Sequence, residues 1–327
     1  MCQLCVMKVD KNYDYSEVKM ISCVSCRNIT EIPKELVNLE YIYCADCLKI
    51  KEIPKELVKL KFINCDYCPI KELPKEFNML NSLSIRGCHM IKTIPSEYEM
   101  LSYLDCFGCT SLIEIPKEFV NLKILDCSYC PLIKYIPKEL TCLNSIRFIS
   151  CDDILYIPKE FVNLESLDCS ETRLTSIPRE YIKLTVLECD RCLNLKEIPK
   201  EFVNLRTLDC SYCPLITDLP RQLTKINVDC IDCASLFSIP SNYIFDYCGD
   251  CPKLTFAPMH LFDSTYDKNI IHTINTNYEA YRKEGCKKLV FTILEELIQR
   301  TWHPSRVIDW CWDEEEKKFM STHISCQ

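Results

Sequence analysis

Glycine is almost missing: 327 residues carry four, Gly87, Gly108, Gly249 and Gly285, and none lies near another. Phosphate loops and dinucleotide fingerprints need glycines clustered at fixed spacing, so both are excluded. Histidine is nearly as scarce, with five scattered residues and no HExxH pair to hold a hydrolytic zinc. No apolar run extends beyond a few residues, which leaves nothing to span a membrane. Positive charge is also short. The formal net charge is −8, and sequence-independent phosphate binding needs a cationic surface, so nucleic acid is not an expected partner. The start, MCQLCVMKVD, has no apolar stretch behind a basic beginning and reads as no signal peptide.

Cysteine and proline are abundant instead, at 27 and 17 residues. The prolines are periodic. Ile-Pro or Leu-Pro recurs at Pro33, Pro54, Pro74, Pro95, Pro116, Pro137, Pro158, Pro178, Pro199, Pro220 and Pro240, in steps of 20 or 21 residues, with Pro258 as a degenerate twelfth. The fullest unit is IPKEFVNLKILDCSYCPLIKY, residues 115–135. It fits the pattern L-x-x-L-x-L-x-x-N/C-x-L slot by slot. Leu122 and Leu125 take the first two leucine slots, Cys127 the third and Cys130 the Asn/Cys slot. Leu132 or Ile133, and then Ile136, complete the inward set.

The segment LKILDCS alternates with period two, as a strand with one buried face should. Proline after the isoleucine fixes φ and removes a donor, closing the strand side of each coil. KEFVNL is too short for a full helix, so a single 3₁₀ or helical turn is expected there. No unit can bury its apolar edge alone, so neighbours must stack. At about 4.8 Å per strand, a dozen coils make a rod on the order of 55 Å long.

These repeats resemble the leucine-rich repeat family over roughly residues 18–258. The resemblance implies a curved solenoid of class α/β, with a parallel sheet on the concave face and short turns or 3₁₀ segments on the convex face. The expected organisation is an irregular N-terminal cap and first coil at 1–30, repeats at 31–258 and a helical C-terminal cap or tail at 259–327. The tail reading rests on Leu289, Ile293 and Leu297 at helical spacing, with Val290, Leu294 and Ile298 beside them. The coil from Pro240 to Cys248 is three residues shorter than that from Pro199 to Cys210, so it is expected to be compressed.

Ten CxxC pairs invite a zinc reading. Each pair, however, falls on the third-leucine and Asn/Cys slots, so the repeat explains the spacing. Ile85 and Phe148 in the first slot ask for apolar volume there; Thr172 in the second asks for a small group able to hydrogen-bond the turn. Structural thiols are the favoured reading, with zinc and a disulfide ladder as the alternatives. Stacked thiols fit a reducing, cytoplasmic compartment, which makes the sequon Asn28-Ile29-Thr30 accidental. No cofactor, metal or catalytic residue is expected, although Cys311-Trp312-Asp313 echoes the Cys-x-Asp pair of some bacterial leucine-rich ubiquitin ligases.

Function is expected on the outward strand positions. One column runs Ser22, Tyr43, Asn64, Ser84, Asp105, Asp126, Arg147, Asp168, Glu188, Asp209, Asp229, acidic from Asp105 onward apart from Arg147. Like charges stacked this closely repel, and nothing in folding is expected to favour them. The candidate partner-binding residues are therefore Asp105, Asp126, Asp168, Glu188, Asp209 and Asp229, with Tyr67, Tyr129 and Tyr212 as aromatic anchors. The expected partner is a protein with a basic segment. The recurring Lys-Glu pairs after each proline read as a solvated, salt-bridge-laced convex surface.

The units IPKEFVNL and LDCSYCPLIKYIP, with the tail IQRTWHPSRVIDWCWDEEEKK, resemble the Cys-rich leucine-rich repeat proteins of giant DNA viruses of amoebae. That resemblance implies a non-enzymatic interaction protein in host cytoplasm. The alternative it carries is an adaptor of a ubiquitin-ligase complex that recruits through its C-terminal tail.

Overall fold

The computed structural model describes residues 4–5, 13–223, 226–240, 244–249 and 251–253. The tail at 259–327 lies outside the described residues, and with it the helical cap, the Cys311 triplet and the adaptor reading. Among the described residues, no helix is long and apolar enough to cross a membrane.

Twelve strands form one sheet. They are β1 (Met20–Ser22), β2 (Tyr41–Tyr43), β3 (Phe62–Asn64), β4 (Ser82–Ser84), β5 (Tyr103–Asp105), β6 (Ile124–Asp126), β7 (Ser145–Arg147), β8 (Ser166–Asp168), β9 (Val186–Glu188), β10 (Thr207–Asp209), β11 (Asn227–Ile231) and β12 (Ile244–Gly249). Their spatial order is their chain order, and each pairs in parallel with the next. Successive coils thus stack as a parallel β-solenoid. The α/β expectation gives way here: the described coils consist of strands and turns. Each of the first ten strands is only three residues long, because the chain turns immediately on both sides. Strand β1 falls inside the segment expected to hold the N-terminal cap and first coil, and it pairs with β2 in the common register. The compressed coil reaches β12 with a slip: Val228 faces Phe245, but Asp229 faces Tyr247.

One coil shows how the repeat buries itself. Ile115, Phe119, Leu122, Leu125, Cys127, Cys130, Ile133 and Ile136 are all buried, while Leu132 is exposed, so Ile133 fills the contested slot. KEFVNL does not form a 3₁₀ or helical segment. It makes two linked β-turns, in which Phe119 N–H donates to the Pro116 carbonyl and Leu122 N–H to the Phe119 carbonyl (3.4 and 2.9 Å). Phe119 and Leu122 both face the core, three residues apart, and consecutive turns keep that inward period while carrying the chain around the coil. Where tyrosine replaces phenylalanine, the buried hydroxyl finds a carbonyl on the preceding coil. Tyr98 donates to Pro74 and Tyr181 to Pro158, each at 2.7 Å.

Eleven described coils then make a sharp bend between the two cysteine slots, and this bend gives the glycine shortage a second meaning. The residue before the second cysteine is left-handed. Nine such positions hold a side chain, Ser25, Asp46, Tyr67, Tyr129, Ser150, Glu171, Arg191, Tyr212 and Asp232, at φ between 52 and 58°. Gly87 and Gly108 fill two more. A Cβ in this region costs roughly 1–2 kcal/mol. Inter-coil hydrogen bonds offset it: ten of these left-handed N–H groups donate to a carbonyl of the next coil, as Tyr67 does to Arg86 (2.6 Å) and Tyr129 to Ile149 (2.8 Å).

The same bend turns the second cysteine inward and gives its thiol a job. Cys47, Cys68, Cys88, Cys109, Cys130, Cys151, Cys192, Cys213, Cys233 and Cys251 each donate S–H to a backbone carbonyl of the preceding coil, at 2.8–3.2 Å. Thr172, in the same slot, donates to the Cys169 carbonyl at 2.7 Å. The first-slot thiols Cys44, Cys65, Cys127, Cys169 and Cys189 are held well above the usual thiol range by the hydrogen bond to the second-slot sulfur and by burial. They stay protonated and inert at neutral pH. Among the described residues, the cysteines form no disulfide. Among the described residues, no group of three or more His, Cys, Asp or Glu side chains converges as a metal site.

The Lys-Glu columns are not laced. Lys34, Glu35, Lys55, Glu56, Lys117, Glu118, Lys138, Glu139, Lys159, Glu160, Lys200 and Glu201 take part in none of the ion pairs found among the described residues. Parallel stacking sets lysine beside lysine and glutamate beside glutamate, so opposite charges are adjacent only along the chain.

Candidate interaction face

The sheet has one face on the core and one toward solvent. Because pairing is in register and parallel, equivalent residues form straight columns along that open face. Asp105 faces Asp126, which faces Arg147, then Asp168, Glu188, Asp209 and Asp229 on consecutive strands. The structure thus brings all six expected acids into one line.

Their local environments are not alike. Asp105 and Asp168 are 5% and 4% exposed, which an open charged strip would not require. Each is covered by an arginine of the preceding coil: Arg86 Nη1 lies 2.8 Å from Asp105, and Arg147 Nε lies 3.3 Å from Asp168. Asp126, Glu188, Asp209 and Asp229 are half-buried.

The column also has a folding role. Asp105, Asp126, Asp168 and Asp209 each accept the backbone N–H two residues on, from Phe107, Ser128, Ser170 and Ser211 (2.9–3.2 Å). These are side-chain caps at the start of the left-handed bend, the ordinary Asx-turn use of aspartate. Asn64 does the same for Asp66 at 3.3 Å, without a charge. The expectation that folding is indifferent to this column is therefore corrected: in five coils aspartate or asparagine supplies an acceptor to the bend.

Glu188 is one methylene too long for that cap, and its carboxyl approaches Asp168 instead. Burial, the hydrogen bond shared with Asp168 and that residue's charge together push Glu188 up to about 7. Burial also raises Asp105, against the pull of Arg86. The Glu188 carboxyl thus holds a proton near neutrality, which marks a stretch short of positive charge.

Tyr67, Tyr129 and Tyr212 all occupy left-handed bends at the edge of the open face, 39–51% exposed. Tyr67 lies across Gly87; a Cβ built on Gly87 would sit 2.5 Å from the ring. The Tyr129 ring tilts against Phe107 at 5.1 Å, and the Arg191 guanidinium stacks on Tyr212 at 5.0 Å. Arg86 lies 4.5 Å over Phe107 while it pairs with Asp105.

Sequence reasoning passed over the first strand position. Met20, Tyr41, Phe62, Tyr103 and Ile124 occupy it in β1, β2, β3, β5 and β6, with Tyr43 and Phe62 in ring contact at 4.7 Å. Met20, Tyr41 and Ile124 are exposed. The open face is apolar and aromatic toward its N-terminal end and acidic toward its C-terminal end. The signal was present two residues before the column position in each of these strands.

A parallel solenoid of 20–21-residue coils with this slot pattern is a leucine-rich repeat fold. A family model described as Leucine Rich Repeat matches residues 121–143 and 204–226. No curated protein matches the chain in sequence. Among solved structures, the functional domain of InlJ from Listeria monocytogenes, which includes a cysteine ladder, is similar at 18% identity and a TM-score of 0.55. The match covers 75% of this chain and 63% of that one, so the chain spans less than two thirds of the InlJ domain. A leucine-rich repeat protein of Leptospira interrogans is similar at 17% identity and a TM-score of 0.51, over 80% of this chain and 83% of that one. The chain carries leucine-rich repeats and folds as a leucine-rich repeat solenoid.

Proposed function

We propose that this chain is a non-enzymatic binding module whose open sheet face, the concave face of the expected curved rod, takes a protein partner through a basic segment. The observation that carries the reading is the run Asp168, Glu188, Asp209, Asp229 on four consecutive strands, in register. Within the same column, Asp105 and Asp168 already receive an arginine from a neighbouring coil. A partner's lysine or arginine would do the same for Glu188 and Asp209. It would release the proton held by Glu188, and the aromatic side chains at the bends would anchor the segment beside the charges. A scaffold built for protein–protein contact supports this reading.

The test must remove charge without removing the caps. In the full-length protein, Asp126→Asn, Glu188→Gln and Asp209→Asn are combined, since Asn64 performs the same cap uncharged. Binding of a fluorescent arginine-rich peptide is followed by anisotropy at low salt, alongside capture from amoebal lysate. The triple variant is expected to weaken peptide binding on the order of tenfold or more, and to lose the captured protein. Glu118→Gln, on the Lys-Glu column, serves as control. Equal weakening by the control, or unaltered affinity in the triple variant, would refute the reading.

A further inference from the structure

We propose that Cys5 and Cys26 are a redox latch, a dithiol that oxidises to a disulfide and ties the N-terminal segment to the first coil. Their sulfurs are in contact at 3.6 Å. A disulfide needs about 2.05 Å, so closure asks the two sulfurs to approach by roughly 1.5 Å, within reach of side-chain rotation. The two residues are 21 apart in sequence, which places Cys5 in the second cysteine slot one coil before Cys26. The pair thus extends the thiol ladder beyond β1, the first strand of the sheet.

Exposure separates this pair from the rest of the ladder. Cys5 and Cys26 are half-buried, whereas every other described cysteine in the two slots is buried. An oxidant therefore meets the ladder at Cys5 and Cys26. Leu4, beside Cys5, is fully buried in the core cluster, which holds the segment against the coil and gives the two sulfurs a high effective concentration. Cys142 is exposed but lies outside the ladder.

The oxidant is a low-molecular-weight disulfide such as oxidised glutathione. One cysteine thiolate attacks a glutathione sulfur, the S–S bond of the oxidant breaks, and one glutathione thiolate leaves. The second cysteine thiolate then attacks the protein sulfur of the mixed disulfide and expels the second glutathione thiolate. The protein loses two electrons and two protons, and the oxidant becomes two thiols. Solenoids open from their ends, so a covalent tie ahead of β1 restrains the first coil.

The experiment treats the full-length chain with oxidised glutathione, quenches it by alkylation and maps peptides without reduction. A Cys5–Cys26 linked peptide pair is expected. Alkylation of Cys26 should fall on the order of tenfold, while Cys142 still reacts. Backbone amides of residues 19–22 should exchange hydrogen more slowly after oxidation. Cys5→Ser and, separately, Cys26→Ser should each abolish the linked pair and leave the partner cysteine as a glutathione adduct. A Cys2–Cys5 linkage, glutathione adducts on both Cys5 and Cys26 without a cross-link, or unchanged exchange in β1 would each overturn the latch.

Discussion

Replacing Gly87 by alanine separates two costs that usually arrive together. Gly87 and Gly108 share the left-handed bend, at φ of 62 and 69°. Their surroundings differ. A Cβ on Gly87 would lie 2.5 Å from Cδ1 and 2.7 Å from Cε1 of Tyr67, whereas the nearest atom to one on Gly108 is 3.9 Å away. Gly108→Ala should therefore show the backbone cost alone. That cost is about 1 kcal/mol, at the low end for a left-handed Cβ, because nine other coils tolerate one at the same bend. Gly87→Ala adds the displacement of Tyr67. The ring is half-exposed and can swing away, so the addition is about 1 kcal/mol, the scale of an off-rotamer side chain and its lost contact. The expected totals are about 2 and about 1 kcal/mol. With a urea slope of about 3 kcal/mol per molar, the midpoints fall by roughly 0.6 and 0.3 M. In a Tyr67→Ala background the gap between the two glycine variants should close. Equal shifts in the native background, or a gap that persists without Tyr67, would refute the reasoning.

The thiol ladder predicts a ranking at Cys130. Cys130→Val keeps the volume but loses the donor to the Cys106 carbonyl, costing about 1 kcal/mol. Cys130→Thr should cost about half of that or less, because Thr172 already serves in this slot by bonding its own coil; urea midpoints decide, and an equal loss would show that volume alone matters. Stability should also depend on pH through Glu188. Its folded value of about 7 lies above the unfolded value of about 4.3, so folding favours its protonated form. Stability is then greatest below the unfolded value, falls as pH rises toward 7 and levels off above. Glu188→Gln should flatten that window and raise the midpoint at pH 8 relative to the parent; an unchanged slope would count against the raised Glu188 value.

The solenoid was legible in the chain because its cause is local and repeated. Ile-Pro every 20 or 21 residues, and a buried residue at each slot, leave one way to hide the apolar edge, which is to stack the next copy on it. The column of acids was legible for the same reason: parallel pairing in register turns a slot into a line. The CxxC spacing was correctly assigned to the repeat, but its use was not visible. Whether Cys130 faces zinc, another sulfur or a carbonyl depends on a left-handed residue at Tyr129, and no local preference of tyrosine announces that conformation.

The scarcity of glycine can be read in the same two parts. By itself the sequence excluded glycine-rich phosphate sites and implied that Ile-Pro closes each strand. Only the stacked coils decided that eleven described repeats contain a bend suited to glycine and that nine of them fill it with something else. The reason is that the compensating hydrogen bond comes from the next coil, 20 or so residues away, and exists only once the two are stacked. The acids divide likewise. Their alignment follows from the repeat, but which carboxylates cap their own bends, which are covered by Arg86 or Arg147, and which one holds a proton near neutrality are settled by distances between neighbouring coils.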